Sequence, residues 1–320
     1  SPAPRMEWQP GATLGLLRAR AALLAQIRQF FAIREVLEVE TPLLCACGIT
    51  DPAIEPLVVE RGVSLAGPRY LQTSPEYAMK RLLASHGQPI FQLTRAFRDG
   101  EAGARHNPEF TLLEWYRPGF DHHALMAEVA QLVRHCLGER PLHSYSYRQL
   151  FLELLGVDPF TATPAELESV ARSRIDTGTI AGERDLWLDL LMSHLIEPRL
   201  AGLGMCFVWD YPASQAALAR VEDCAGVMVG HRFELYVDGM ELANGYFELQ
   251  DPQEQRRRFE RDNALRRERG LPERPLDARL LAALDHGLPD CSGVARGVDR
   301  LLMLATGVVA FFEASLQATI

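Results

Sequence analysis

The sequence predicts an α+β protein: an antiparallel β-sheet flanked by helices, with a mostly helical insertion at about residues 144–204. Three observations carry that reading. Ile90–Pro118 reads as two strands joined by a long loop, Arg98 to Pro108, because Phe110, Leu112, Glu114 and Tyr116 share one parity. Met228–Leu249 reads as a hairpin about Asp238-Gly239, a dipeptide suited to the two positive-φ positions of a tight turn. Between such stretches, apolar residues recur at helical spacing, as in Thr13–Arg34 and Asp121–Leu137.

Composition narrows the class. A chain of 320 residues, 48% hydrophobic and 23% charged, has the make-up of an ordinary globular protein. The reading is a flexible segment at residues 1–10 and one domain over 11–320. A net charge of −9 speaks against a broad nucleic-acid footprint. No apolar run reaches membrane-spanning length, and the first residues lack a secretory h-region, so the expectation is a cytoplasmic protein with no membrane contact. Six cysteines without zinc-ligand spacing read as free thiols in a reducing compartment.

Taken in order, the long helix Thr13–Arg34 has an apolar stripe through Leu14, Leu17, Ala21, Leu24, Ile27 and Phe31. It runs into a strand at Val36–Glu40 that stops at Pro42. Simple packing and a subunit interface are both open for this unit. Ile54–Glu60 and Arg69–Gln72 read as short strands. A helix then starts with Ser74 as N-cap, Pro75 at the first helical position and Glu76 in the first turn. The loop after Phe97 holds what a nucleotide needs: Arg98 and Arg105 as forked phosphate donors, His106 and Asn107 as polar readers, and Phe110 as a flat surface. Taken alone, that loop is equally readable as a solvated hairpin tip.

The insertion contains helical pieces at Tyr147–Leu155, Pro164–Arg172 and Asp185–Glu197, and no constellation with assignable chemistry. In the Asp238-Gly239 hairpin Tyr236 pairs with Glu241, which sets Glu234 and Glu241 diagonally on one face. Two adjacent carboxylates repel, and magnesium held by oxygen ligands would relieve them; a solvated acidic face is the alternative. Asn244 and Glu248 continue the polar series around Gly245, which reads as a strand break, so parity does not set their facing. Asp251–Arg269 is a charged helix with a solvated or partner-binding face, and Asp277–His286 is another helix. Finally, a Gly-containing strand from Cys291 feeds a helix at Gly297, with Arg300 in its first turn. Neither GxxxxGK[ST] nor a strand-linked GxGxxG occurs.

The long helix and strand ending at Pro42, the Phe97-Arg98…Phe110 loop and Gly297-Val298-Asp299-Arg300 follow one another in the order of the three motifs of class II aminoacyl-tRNA synthetases. Thr73–Tyr77, Arg105–Thr111 and Glu241–Glu248 resemble the lysyl branch of that class. Glu114–Pro118 and Asp290–Ala295 resemble its free-standing paralogues, which ligate (R)-β-lysine to a lysine side chain of elongation factor P. The likeness covers roughly Trp8 to the end. With motif 1 at the start of the chain there is no room for an anticodon-binding barrel, so no tRNA anticodon recognition is expected.

The resemblance implies an ATP-dependent ligase, a homodimer through motif 1, that forms an acyl-adenylate and passes the acyl group to an acceptor amine. By position, Arg98 meets the α-phosphate and Arg300 the γ-phosphate, with Glu241 completing the catalytic set. Glu234 and Glu241 hold Mg2+. Phe110 stacks on adenine; Asp99, Gly100, His106, Asn107, Leu242 and Gly297 lie near the nucleotide. Glu248 anchors the terminal amine with Tyr116 and Glu114. Glu76, with Ser74 and Pro75, meets the other amine; Asn244 and Ala295 complete the amino-acid pocket. Ala295 stands where lysyl-tRNA synthetases usually have Gly, which would reshape that pocket. One departure is visible: the class pattern F-R-x-E meets Phe97-Arg98-Asp99-Gly100 here, with Glu101 one place late. Either Glu101 shifts inward or backbone replaces its contact. A truncated lysyl-tRNA synthetase-like enzyme using α-lysine and another acceptor is the alternative, as is a non-catalytic regulator.

Overall fold

The structure is a computed structural model that describes residues 8–100 and 107–307. In chain order its elements are α1 (Leu14–Ile33), β1 (Leu37–Glu38), β2 (Leu44–Cys45), β3 (Val58–Val59), β4 (Arg69–Leu71), α2 (Glu76–His86), β5 (Ile90–Phe97), β6 (Glu109–Pro118), α3 (His122–Leu137) and β7 (Leu142–Ser146). There follow α4 (Tyr147–Leu155), α5 (Pro164–Arg174), α6 (Arg184–Leu191), a π-helical turn (Met192–Ile196) and α7 (Glu197–Leu200). The chain then forms β8 (Met205–Pro212), β9 (Val221–Cys224), β10 (Val227–Val237), β11 (Met240–Phe247), α8 (Pro252–Glu268), α9 (Ala278–His286), β12 (Cys291–Gly297) and α10 (Val298–Thr306).

The main sheet runs β1-β5-β6-β12-β11-β10-β8-β7, with β9 on β10. Its body is antiparallel, as predicted, but both edges are parallel pairings, β1 with β5 and β7 with β8. Parallel neighbours need a long crossover. The helical insertion is the second of these crossovers, and Ser144–Ser146, assigned to it from sequence, belong to β7.

One face of the sheet packs on α1, α3 and α10 around Phe31, Trp115, Val129, Phe233 and Leu301. The insertion has its own apolar cluster, including Phe151, Leu167, Trp187 and Ile196, seated on Cys206 and Tyr236. A third cluster joins Met79 and Leu83 to Phe259 of α8 and to Leu280 and Leu284 of α9. The second and third clusters flank the other face of the sheet and leave a cleft between them.

Local chemistry explains most boundaries. Thr13, Asp121, Ser146 and Asp277 each accept a backbone N–H of the following first turn. Thr163 and Glu166 form a capping box. Asp238 and Gly239 sit at φ 50° and 79° in the two-residue turn, with Tyr236 opposite Glu241 as expected.

Four expectations are corrected. On α1 the buried residues are Leu16, Arg20, Leu23, Ile27, Phe30 and Phe31, so Ile27 and Phe31 of the expected stripe are buried while Leu14 and Leu17 face solvent. Arg20 can be buried because Asp299 and Thr111 take its guanidinium, each at 2.7 Å. Ile54–Glu60 is strand only at Val58–Val59. Pro75 is the cap residue of α2 rather than its first helical residue, and the Ser74 hydroxyl accepts from Glu76 N–H at 3.3 Å. Gly245 does not break β11: a Cβ there would lie 2.3 Å from the Phe233 ring, so glycine is what lets the strand pass that ring.

Candidate active site

The floor of the cleft is built from directly paired residues, which point to the same side of a sheet. One row runs Glu114–Ala295–Asn244–Glu234 across β6, β12, β11 and β10. The next runs Tyr116–Gly293–Tyr246–Arg232. A bulge between Leu235 and Tyr236 makes this possible. Tyr236 pairs with Glu241 and Leu235 with Ala243, so Leu242 is the extra residue. It turns its side chain into the core and shifts parity, so that Glu241 shares a face with Asn244, Tyr246 and Glu248. Parity counting could not anticipate that.

The cleft encloses about 1620 Å³, and its lining includes Ser74, Glu76, Arg98, Glu114, Tyr116, Glu234, Glu241, Asn244, Glu248 and Ala295. Ten residues singled out from sequence, scattered from 74 to 295, thus meet on one surface. Its closed end is acidic. Glu76, Glu114 and Glu248 are all buried there, and Lys80 Nζ lies 3.0 Å from Glu76 and 2.8 Å from Glu248. The Lys80 ammonium pairs with Glu248 Oε2, and Glu248 Oε1 is left without a hydrogen-bond partner. Burial, reinforced by the charge of Glu76, pushes Glu248 up to about 8 against the pull of Lys80. Burial likewise raises Glu114 well above the carboxylate range, and Tyr116 Oη donates to it at 3.0 Å. Burial works against the Lys80 ammonium, but Glu248 and Glu76 outweigh it and hold the charge.

The other end carries Glu234 and Glu241. Glu234 accepts from Arg232 and, at 2.6 Å, from Tyr236 Oη. Glu241 is pushed up to about 7, by burial first and then by the charge of Glu234. Tyr236 Oη also lies 3.0 Å from Glu197 of α7. Burial raises the Glu197 carboxyl against the pull of that hydrogen bond.

The other described candidates stand around the cleft, with Arg98 reaching them from its lining. Arg300 donates to the Glu241 carbonyl at 2.8 Å, and Gly297 caps α10 opposite Leu112. The Arg98 guanidinium lies over the Phe110 ring at 5.1 Å, and its N–H donates to Pro108 O. Asn107 is buried beside this loop. Asp99 N–H donates to the Glu55 carbonyl at 2.7 Å, and the Glu55 carboxylate is held by Arg266 and Arg274. Gly100 N–H closes on Asp99 Oδ1, while Arg105, His106 and Glu101 lie outside the described residues.

Sequence reasoning missed four lining or bracing groups: Lys80, Arg232, Tyr246 and Glu197. Lys80 had a legible signal, four residues after Glu76 on a helix. Arg232 shares parity with Glu234, and Tyr246 does so only after the bulge. Glu197 had none, because its place depends on how the insertion docks.

Gly293 shapes the closed end. A Cβ there would lie 2.2 Å from the Tyr116 ring and 2.7 Å from Glu248 Oε1. If the closed end takes the amino acid that the sequence resemblance implies, Gly293→Ala is expected to raise its KM roughly 5- to 150-fold, since overpacking costs about 1–3 kcal/mol, while KM for ATP stays within about twofold. Steady-state exchange kinetics check it; equal rises in both constants would point to general disorder instead.

A family model described as tRNA synthetases class II (D, K and N) matches residues 12–315. An elongation factor P–(R)-beta-lysine ligase of Proteus mirabilis (strain HI4320) is 49% identical over 308 residues, 94% of each chain. Ligases of the same name from Salmonella typhi and Pseudoalteromonas translucida (strain TAC 125) are 49% and 48% identical over 306 and 308 residues, with at least 93% of each chain covered.

Proposed function

We infer that this chain, which belongs to the class II tRNA synthetase family (D, K and N), is an ATP-dependent ligase that activates (R)-β-lysine and transfers it to elongation factor P. The observation that carries the substrate assignment is the Glu248 carboxylate, 1% exposed at the closed end of the cleft, whose Oε1 has no hydrogen-bond partner. A buried carboxylate in that state is an ammonium receptor. Glu76 offers a second acidic contact on the same wall, as two amines require.

In the first step the β-lysine carboxylate attacks the α-phosphorus of ATP, and pyrophosphate leaves. Arg98 meets the α-phosphate and Arg300 the γ-phosphate, while Phe110 offers its ring to adenine. In the second step an amine of the acceptor attacks the acyl carbon, loses a proton, and AMP departs. We assign that amine to a lysine side chain. Positioning and charge neutralisation carry both steps. The donor set at Glu234 and Glu241 fits Mg2+: two carboxylates, one buried and one half-buried, line the cleft, and burial followed by the charge of Glu234 raises Glu241. When bound, the ion neutralises phosphate charge.

The same reading pairs two copies through α1 and β1, where Leu14, Leu17, Ile33 and Leu37 are exposed. It places the enzyme in the cytoplasm, in keeping with six free cysteines; among the described residues no helix is long and apolar enough to cross a membrane.

Pyrophosphate exchange with (R)-β-lysine, α-lysine or no amino acid tests the first step, and mass spectrometry of elongation factor P tests the second. Exchange is expected to be fastest with (R)-β-lysine, with one acyl group added to the protein. Strong tRNA charging without protein modification would overturn the reading.

A further inference from the structure

We propose that His122, His123 and Asp210 form a binding site for a divalent transition-metal cation, separate from the cleft and beneath the start of α3. One ligand-type atom from each of the three lies within 4.8 Å of the others. None of the three lines the cleft.

The ligands come from two elements. His122 and His123 open α3, and Asp210 lies in β8, facing the irregular stretch of β10 between Gly230 and Phe233. Asp210 is held from behind: its Oδ1 lies 3.0 Å from His231 Nδ1, and His231 Nε2 lies 2.9 Å from Glu222. His231 is thus bracketed by two carboxylates and orients that of Asp210. Such outer hydrogen-bond partners are the usual support of a metal ligand. Stacking of the His122 and His231 rings, 4.6 Å between centroids, fixes the floor of the site.

Both imidazoles are suited to ligation. His122 Nε2 lies 2.9 Å from Asp210 Oδ1, and its Nδ1 is buried without a hydrogen-bond partner although the residue is only 4% exposed. A buried ring nitrogen without a partner calls for one. His123 is exposed on the open side of the site, its ring 4.2 Å from that of His122 between centroids. Asp210 and Glu222 supply carboxylates on either side of His231, and Asp121 at the helix cap offsets the positive end of α3. Two imidazole nitrogens and one carboxylate favour zinc, nickel or cobalt over magnesium or calcium.

The test is a titration of the full-length protein with Co2+ and then Zn2+, in the absence of ATP, followed by the Co2+ visible absorption bands and by calorimetry. One equivalent is expected to bind wild type, with affinity at least 10-fold weaker in His123→Ala and in Asp210→Asn, and Zn2+ is expected to raise Tm in wild type only. His123 is exposed, so its variant keeps the fold. No binding by wild type, or equal affinity in His123→Ala, would overturn the proposal; the latter would move the ion to the cysteines or the carboxylates of the cleft.

Discussion

Replacing Glu248 with alanine is expected to lower kcat/KM for the amino acid in pyrophosphate exchange by roughly 30-fold to several thousand-fold, with ATP binding retained. The size follows from what is removed. Glu248 is 1% exposed and 2.8 Å from Lys80, and truncating one partner of a buried charge pair costs about 2–5 kcal/mol. The variant also leaves Lys80, still paired with Glu76, as a cation facing the substrate's ammonium. The nucleotide end is spared because Arg98 and Arg300 belong to other elements and Glu241 lies seven residues away, at the far end of β11. Retained amino-acid-dependent exchange would sink the assignment of Glu248, while loss of ATP binding as well would indicate collapse of the cleft.

Lys80→Met is expected to impair the enzyme in a way that depends on pH. Lys80 is 1% exposed between two carboxylates, so its removal leaves buried acid without a cation, at a cost of about 3–5 kcal/mol. Glu248 then loses the influence that holds it down and moves above about 8. An ammonium needs the ionised carboxylate. Amino-acid affinity in wild type should therefore rise with pH through about 8, and in the variant that rise should come at higher pH.

Stability runs the other way. The folded-state value of Glu248 lies above its unfolded value of 4.5, so the folded chain holds a proton that the unfolded chain has released. That stabilisation is fully present below about 4.5 and is lost as pH rises through about 8. Tm of the unliganded protein should fall across that window, and in Lys80→Met the fall should continue to higher pH. Parallel Tm curves for wild type and variant would reduce Lys80 to a packing role.

Much of the site was legible in the chain, because its chemistry lies in short local patterns. The Asp238-Gly239 turn dictates its own hairpin, and with it the pairing of Tyr236 with Glu241. Parity along β6 places Glu114 and Tyr116 together, and the structure adds that Oη of one donates to the other. The ordered motifs around Arg98, Glu241 and Arg300 carried the family. Local periodicity alone misjudged α1, where a buried arginine lies on the inner face and two leucines on the outer.

By itself, then, the sequence determined the α+β class, the hairpins, the family and ten residues of one cleft, since turn chemistry, parity and motif order act over a few residues. Only the tertiary structure decided the rest. A one-residue bulge at Leu242 resets parity, so the facing of Asn244 and Glu248 depends on pairing with a second strand. The ammonium of Lys80 meets Glu248 across 168 positions of chain, and Asp210 meets His122 across 88. Glu197 reaches Tyr236 only because the helical crossover docks on β8. Buried charges are arranged by whichever distant element closes over them, and no window of sequence contains both partners.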